Sequence, residues 1–119
     1  MGDYWGYHLQ VDAKACNENV KWPNEHKIYE FTKELVEKID MVAYGEPMIN
    51  HFGSDNKSGY TLVQLIETSN ICAHFCDDSG DSYFDVFSCK EYDTEIVIDL
   101  IKKYFEPIRI ITSFRLRQA

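Results

Sequence analysis

The chain has no run of about 18 consecutive apolar residues, so it does not read as a membrane-spanning protein. Its opening stretch, "MGDYWGYHLQ", lacks a basic segment leading into an apolar one. It therefore does not read as a secretory signal, and the cytoplasm is the expected compartment. Positive charge is short too: 12 Lys and Arg stand against 20 Asp and Glu, a net charge of −8. Binding a nucleic-acid backbone needs a basic face, which this balance argues against. The one basic cluster, "RIITSFRLRQ", alternates with apolar residues and reads as an edge strand instead. Repeats, low-complexity tracts and interdomain linkers are also missing, so residues 1–119 are expected to form a single domain.

What is present is a core-forming composition, with 45% apolar residues. The four cysteines, Cys16, Cys72, Cys76 and Cys89, are expected as reduced thiols in that compartment. Alternation predicts a first strand over residues 4–13, with His8 as a core histidine. Helical spacing of Ile28, Phe31, Leu35 and Ile39 predicts a helix over 25–40. "MVAYGEPMINHF" suggests an interrupted second strand, followed by the loop "GSDNKSG". "YTLVQLIET", "ICAHF" and "YFDVFSCK" read as three further strands. Val97, Leu100, Ile101 and Tyr104 mark a second helix over 94–105, and "IRIITSFRL" a last strand. The middle strands are too closely linked for parallel crossovers. The expected fold is α+β: a two-layer sandwich of a mostly antiparallel sheet with two helices on one face. The other sheet face then needs an apolar partner, and a second copy of the chain is the simplest one.

The stretch "LIETSNICAHFCDD" is where chemistry concentrates. Cys72, His74 and Cys76 alternate with apolar residues and share one face of a strand. Same-face neighbours lie roughly 6.5–7 Å apart, too far to converge on a metal with bonds near 2.0–2.3 Å. Taken alone, each cysteine reads as a small buried hydrophobe.

"TSNICAHFCDD" followed by "DVFSC" resembles the small prokaryotic, pyruvoyl-dependent S-adenosylmethionine decarboxylases. Their processing site runs Glu-Ser-His-Ile-Ser-Ile-His-Thr-Trp-Pro-Glu, and later Asp-Val-Phe-Thr-Cys. Ser69 falls on the serine that becomes the pyruvoyl, His74 on the histidine that assists processing, and Cys89 on the catalytic proton donor. Thr61 falls on the processing serine, and Ser58 is a competing match because Gly59 follows it. "GYHLQVDAKAC" is similar to the family's opening, with Ala15 in place of a glycine. Phe52 matches a substrate-binding phenylalanine, and Asp78 the glutamate that binds the ribose hydroxyls. One methylene shorter, Asp78 would need the ligand or loop to shift by about 1.5 Å.

The resemblance implies self-cleavage between Thr68 and Ser69, leaving a pyruvoyl derived from Ser69 as the cofactor. The ketone would take the substrate amine as a Schiff base and serve as an electron sink. Cys89 would then return a proton, kept on the thiol by a carboxylate such as Asp85. The implied substrate is S-adenosylmethionine, feeding polyamine (spermidine) synthesis, in a homodimer. Tyr4, Trp5, Tyr7 and Phe52 are candidate faces for the adenosine and the sulfonium. The flanks depart from the pattern: Thr68 replaces Glu, Asn70 replaces His, and Cys76-Asp77-Asp78 replaces Trp-Pro-Glu. Those departures leave two alternatives open: a non-catalytic member that binds a ligand or regulates a partner, and a changed substrate or lyase chemistry on the same scaffold.

Overall fold

A computed structural model describes residues 4–119. The elements run β1 (Gly6–Lys14), a short 3-10 turn (Glu18–Val20), α1 (Glu25–Lys38), β2 (Met48–Phe52), a second 3-10 turn (Asp55–Lys57), β3 (Gly59–Ile66), β4 (Ser69–Phe75), β5 (Ser82–Ser88), α2 (Thr94–Phe105) and β6 (Arg109–Arg117). The six strands form one sheet in the order β2-β3-β4-β5-β1-β6. Every neighbouring pair is antiparallel. The α+β sandwich read from the sequence is therefore the observed fold. The basic C-terminal strand does lie at a sheet edge. Among the described residues no helix is long and apolar enough to cross a membrane.

Both helices cover the same face. Ile28, Phe31 and Leu35 of α1 meet Val97, Ile101 and Phe105 of α2 over Leu62, Ile71, Ala73, Phe75, Phe84 and Val86 of the sheet. Aromatic rings knit this layer together, with Phe31 and Phe105 centroids 4.9 Å apart and Phe75 and Phe84 edge to face at 5.5 Å. Burying side chains of this size contributes about 1.5–3 kcal/mol each. Glu34 of α1 ties the helices together from outside, accepting from Tyr104 Oη at 2.6 Å and from Lys103 Nζ at 3.1 Å.

Two differences from the sequence reading matter for the site. The second strand is confined to Met48–Phe52, and upstream of it only Ala43 bridges to Ile66. The break within the central motif falls at Glu67–Thr68, a two-residue turn between Ile66 and Ser69, which pair with each other. Ser69 and Asn70, expected in the break, instead belong to β4. Pairing with both β3 and β5 draws them into the ladder, a tertiary effect that local polarity does not report.

The opposite face of the sheet has no helix over it. Met48, Phe52, Leu65, Tyr83 and Ile111 stand there between 46% and 60% exposed. His8 lies on this open face, because Leu9 and Val11 take the core side of β1. It is not the core histidine that the alternation suggested.

Candidate active site

The sheet register sorts the candidate residues into two groups. At one end of β4 the chain turns through Glu67–Thr68 into Ser69, which pairs with Ser88 of β5. The Cys89 backbone N–H donates to the Thr68 carbonyl oxygen at 2.9 Å. Cys89 itself is exposed, just past the end of β5. Ser69 has φ +153°, outside the ordinary range of an L-residue strand. Such conformations cost on the order of 1–3 kcal/mol and persist where the surroundings impose them. Here hairpin pairing to Ile66 and Ser88 imposes it from both sides.

The Thr68 side chain is held as well. Ser88 Oγ donates to Thr68 Oγ1 at 2.8 Å, and Thr68 Oγ1 lies 3.3 Å from the Met41 sulfur. On the open face, a cleft of about 410 Å³ is lined by Trp5, Phe87, Arg115 and Arg117, and Phe87 directly precedes Ser88. Trp5 is 58% exposed and its ring lies 5.9 Å from Phe87, while Tyr7 is buried and unavailable to a ligand. The Arg117 guanidinium stacks over the Phe87 ring at 5.2 Å and reaches His8 Nδ1 at 3.2 Å. Since Arg only donates, Nδ1 accepts, and His8 Nε2–H donates to Asp85 Oδ1 at 2.9 Å.

Asp85 is therefore engaged by His8 and Gln10 on one side and sits opposite Cys72 on the other. It acts on Cys72 rather than on Cys89. Burial pushes the Cys72 thiol pKa up, and the Asp85 charge adds to that. The expected pairing of Asp85 with Cys89 fails because four residues of strand separate them, roughly 13 Å.

The second group lies at the other end of β4. Thr61 of β3 pairs directly with His74, and Thr61 Oγ1 is 3.3 Å from His74 Nδ1. His74 and Asp78 line a cleft of about 400 Å³ together with Lys57, Cys76, Asp81 and Tyr83. Phe52 stands at the end of β2, paired with Gly59 and 60% exposed. Ser58 is drawn away from this face: its hydroxyl faces Asp77 Oδ2 at 3.4 Å. Of the two candidate processing hydroxyls, only Thr61 meets the histidine.

Asp77, the neighbour of Asp78 in the altered Cys-Asp-Asp stretch, is the better-held carboxylate. It accepts from His51 Nε2 and from the Trp22 backbone N–H, while its own N–H donates to the Ser58 carbonyl. Burial works to raise its pKa, but the His51, Trp22 and Ser58 hydrogen bonds outweigh it and hold the carboxyl below its usual range. Asp78 is exposed in the following turn. Asp77 carried no sequence signal, since its partners come from three other segments.

The structure thus brings Ser69, Thr68 and Cys89 together, and separately Thr61, His74 and Asp78. From Ser69 to His74 the strand advances five residues, roughly 16 Å. No imidazole spans that distance, so within one chain His74 does not reach the 68–69 peptide. Among the described residues no three His, Cys, Asp or Glu side chains gather as a metal site.

These features define a class: a two-layer α+β sandwich whose sheet leaves one face uncovered and carries the candidate residues at both ends of the central hairpin. The S-adenosylmethionine decarboxylase family profile matches residues 7–118. The chain belongs to the S-adenosylmethionine decarboxylase family. It is 29% identical over 105 residues to the S-adenosylmethionine decarboxylase proenzyme of Pyrococcus horikoshii, covering 87% of this chain and 72% of that one. It is 26% identical over 101 residues to the proenzyme of the same name from Clostridium botulinum, covering 84% and 83%. The crystal structure of the adenosylmethionine decarboxylase from Aquifex aeolicus superposes with a TM-score of 0.80 at 20% identity, covering 98% of this chain and 92% of that one. That last likeness speaks for the fold.

Proposed function

We propose that this chain is a proenzyme that cleaves itself between Thr68 and Ser69 and then decarboxylates S-adenosylmethionine for polyamine (spermidine) synthesis. The observation that carries this reading is the geometry of the 68–69 peptide. Its carbonyl oxygen already holds a backbone N–H donor from Cys89 at 2.9 Å, and its serine is at φ +153°. A donor there stabilises the oxyanion that develops when the Ser69 hydroxyl attacks the Thr68 carbonyl carbon. The relatives are named as proenzymes, in keeping with a chain that matures.

The step balances as follows. The Ser69 Oγ–C bond forms, the 68–69 C–N bond breaks, and the hydroxyl proton passes to the freed amine. Removal of the Ser69 α-proton then expels the Oγ with the Thr68 carboxylate. Water replaces the nitrogen of the resulting dehydroalanine, ammonia leaves, and a pyruvoyl caps the new N-terminus at 69. Thr68 contributes only a carbonyl to the attack, so a glutamate there is not chemically required. The pyruvoyl supplies a carbonyl electron sink for loss of carbon dioxide. Around it, the Cys89 thiol, which is exposed, would return a proton, and the exposed Trp5 ring would take the adenosine.

His74 and Thr61 enter from a second copy of the chain. The open face leaves Met48, Phe52, Leu65, Tyr83 and Ile111 uncovered among polar side chains, and a second copy of the chain would cover them. A two-fold axis lying between two such faces and across their strands sets the Ser69 end of one β4 over the His74 end of the other. Each site then has a strained serine from one subunit and the Thr61–His74 pair, Phe52 and Asp78 from its partner.

Intact mass of the purified protein tests the cleavage, and product analysis with S-adenosylmethionine tests the reaction. The expected result is two fragments, the second beginning with a pyruvoyl at 69, together with decarboxylated S-adenosylmethionine. A single uncut chain without decarboxylase activity overturns the proposal and leaves a ligand-binding member of the family. A different product on a cut chain would mark a changed substrate.

A further inference from the structure

Ser88 is one of the few polar side chains in the core, fully buried at 0% exposure. It is also the register partner of Ser69. Its hydroxyl is fully used: the Lys90 backbone N–H donates to it at 2.9 Å, and it donates to Thr68 Oγ1 at 2.8 Å. Thr68 Oγ1 in turn faces the Met41 sulfur at 3.3 Å. One order of protons satisfies the whole chain, from Lys90 N–H through Ser88 and Thr68 to Met41. Glu67 N–H also donates to Val42 O at 2.9 Å, and the Lys90 side chain donates through Nζ to Asp40 O at 2.6 Å.

A buried hydroxyl left unpaired is costly, so this pair is set rather than incidental. It fixes the Thr68 side chain at the residue whose carbonyl would be attacked. The Cys89 N–H that holds that carbonyl is on the residue directly after Ser88. One short segment, 88–90, therefore grips the scissile residue by its side chain and by its carbonyl at once.

We propose that Ser88 is a positioning residue for self-cleavage, and that Thr68 is its matched partner rather than a degraded flank. The proposal rests on the cleavage reading above. The Ser88–Thr68 hydrogen bond holds the plane of the 68–69 peptide so that its carbonyl oxygen stays on the Cys89 N–H while the Ser69 Oγ–C bond forms and the C–N bond breaks. A β-branched threonine suits this role because its hydroxyl sits at a restricted χ1.

The test is the time course of cleavage, by intact mass, in wild type, Ser88→Ala, Ser88→Thr, Thr68→Val and the double variant Ser88→Ala/Thr68→Val. All are assayed well below their melting temperatures. Ser88→Ala and Thr68→Val each slow the cut roughly tenfold, the loss of one orienting hydrogen bond. The double variant is no slower than the slower single one, because both remove the same contact. Ser88→Thr keeps the hydroxyl and cuts within about twofold of wild type. Should Ser88→Ala not fold, the near-isosteric Thr68→Val carries the measurement alone. A wild-type rate in Ser88→Ala or Thr68→Val, multiplying effects in the double variant, or a Ser88→Thr as slow as Ser88→Ala overturns the proposal and leaves the cleavage reading intact. An uncut wild type overturns both.

Discussion

If His74 serves the 68–69 bond from the partner subunit, two dead variants should rescue each other. Take Ser69→Ala, which has no nucleophile, and His74→Ala, which has no helper imidazole. Ser69 and His74 lie five residues apart on a continuous strand, roughly 16 Å, so the two defects belong to different sites of an assembled dimer. Each variant alone should stay uncut while wild type goes to completion. In a mixed dimer one site combines both defects. The other joins the intact Ser69 of the His74→Ala chain to the intact His74 of its partner. With equal co-expression and random pairing, about half of the His74→Ala chains sit in mixed dimers. Cleavage should then stop near half of those chains, with no cut in any Ser69→Ala chain. Tags of different mass on the two chains make this readable by intact mass, and a pull-down on one tag confirms the mixed dimers. Mixed dimers that form but stay uncut would refute the crossed arrangement, as would His74→Ala cutting by itself at the wild-type rate.

Two further substitutions test the framework around the site. A Cβ at Gly59 would lie 1.7 Å from the Phe75 carbonyl oxygen, so Gly59→Ala must push β3 off the end of β4. It should cost at least about 3 kcal/mol in urea unfolding, and a loss under about 1 kcal/mol would contradict the close approach. The Asp77 carboxyl is held below its usual pKa, so it favours the folded state above its unfolded value of about 4. That stability disappears as pH falls through the folded value. The melting temperature of wild type should drop as pH falls below about 4, and Asp77→Asn should start lower at neutral pH and drop less over the same range. Parallel curves for the two proteins would show that the His51–Asp77 contact contributes nothing.

Much of the candidate site was legible through the family resemblance of two short stretches. Ser69, His74 and Cys89 stand out in "TSNICAHFCDD" and "DVFSC", and both helices and the edge position of the last strand follow from periodicity. Other features have no local signature. Asp85 looked like a partner for Cys89 along the sequence, but cross-strand register gave it to Cys72 and His8. His8 looked internal because it alternates with apolar residues, yet alternation only says that two faces differ. Which face is covered was settled by where α1 and α2 pack. Ser88 and Asp77 were passed over because their hydrogen-bond partners, Thr68 and Met41 for one and His51 and Trp22 for the other, are all distant in the chain.

The order of residues by itself determined the α+β class and the amphipathic helices, since periodicity acts over a few residues, and its family resemblance singled out Ser69, His74 and Cys89. Only the tertiary structure decided that these residues fall into two groups at opposite ends of one strand. It also decided that a buried hydroxyl and a backbone N–H converge on the Thr68–Ser69 peptide. The physical reason is that hydrogen-bond partners across a sheet are chosen by register and by the packing of distant segments, and no local pattern encodes either.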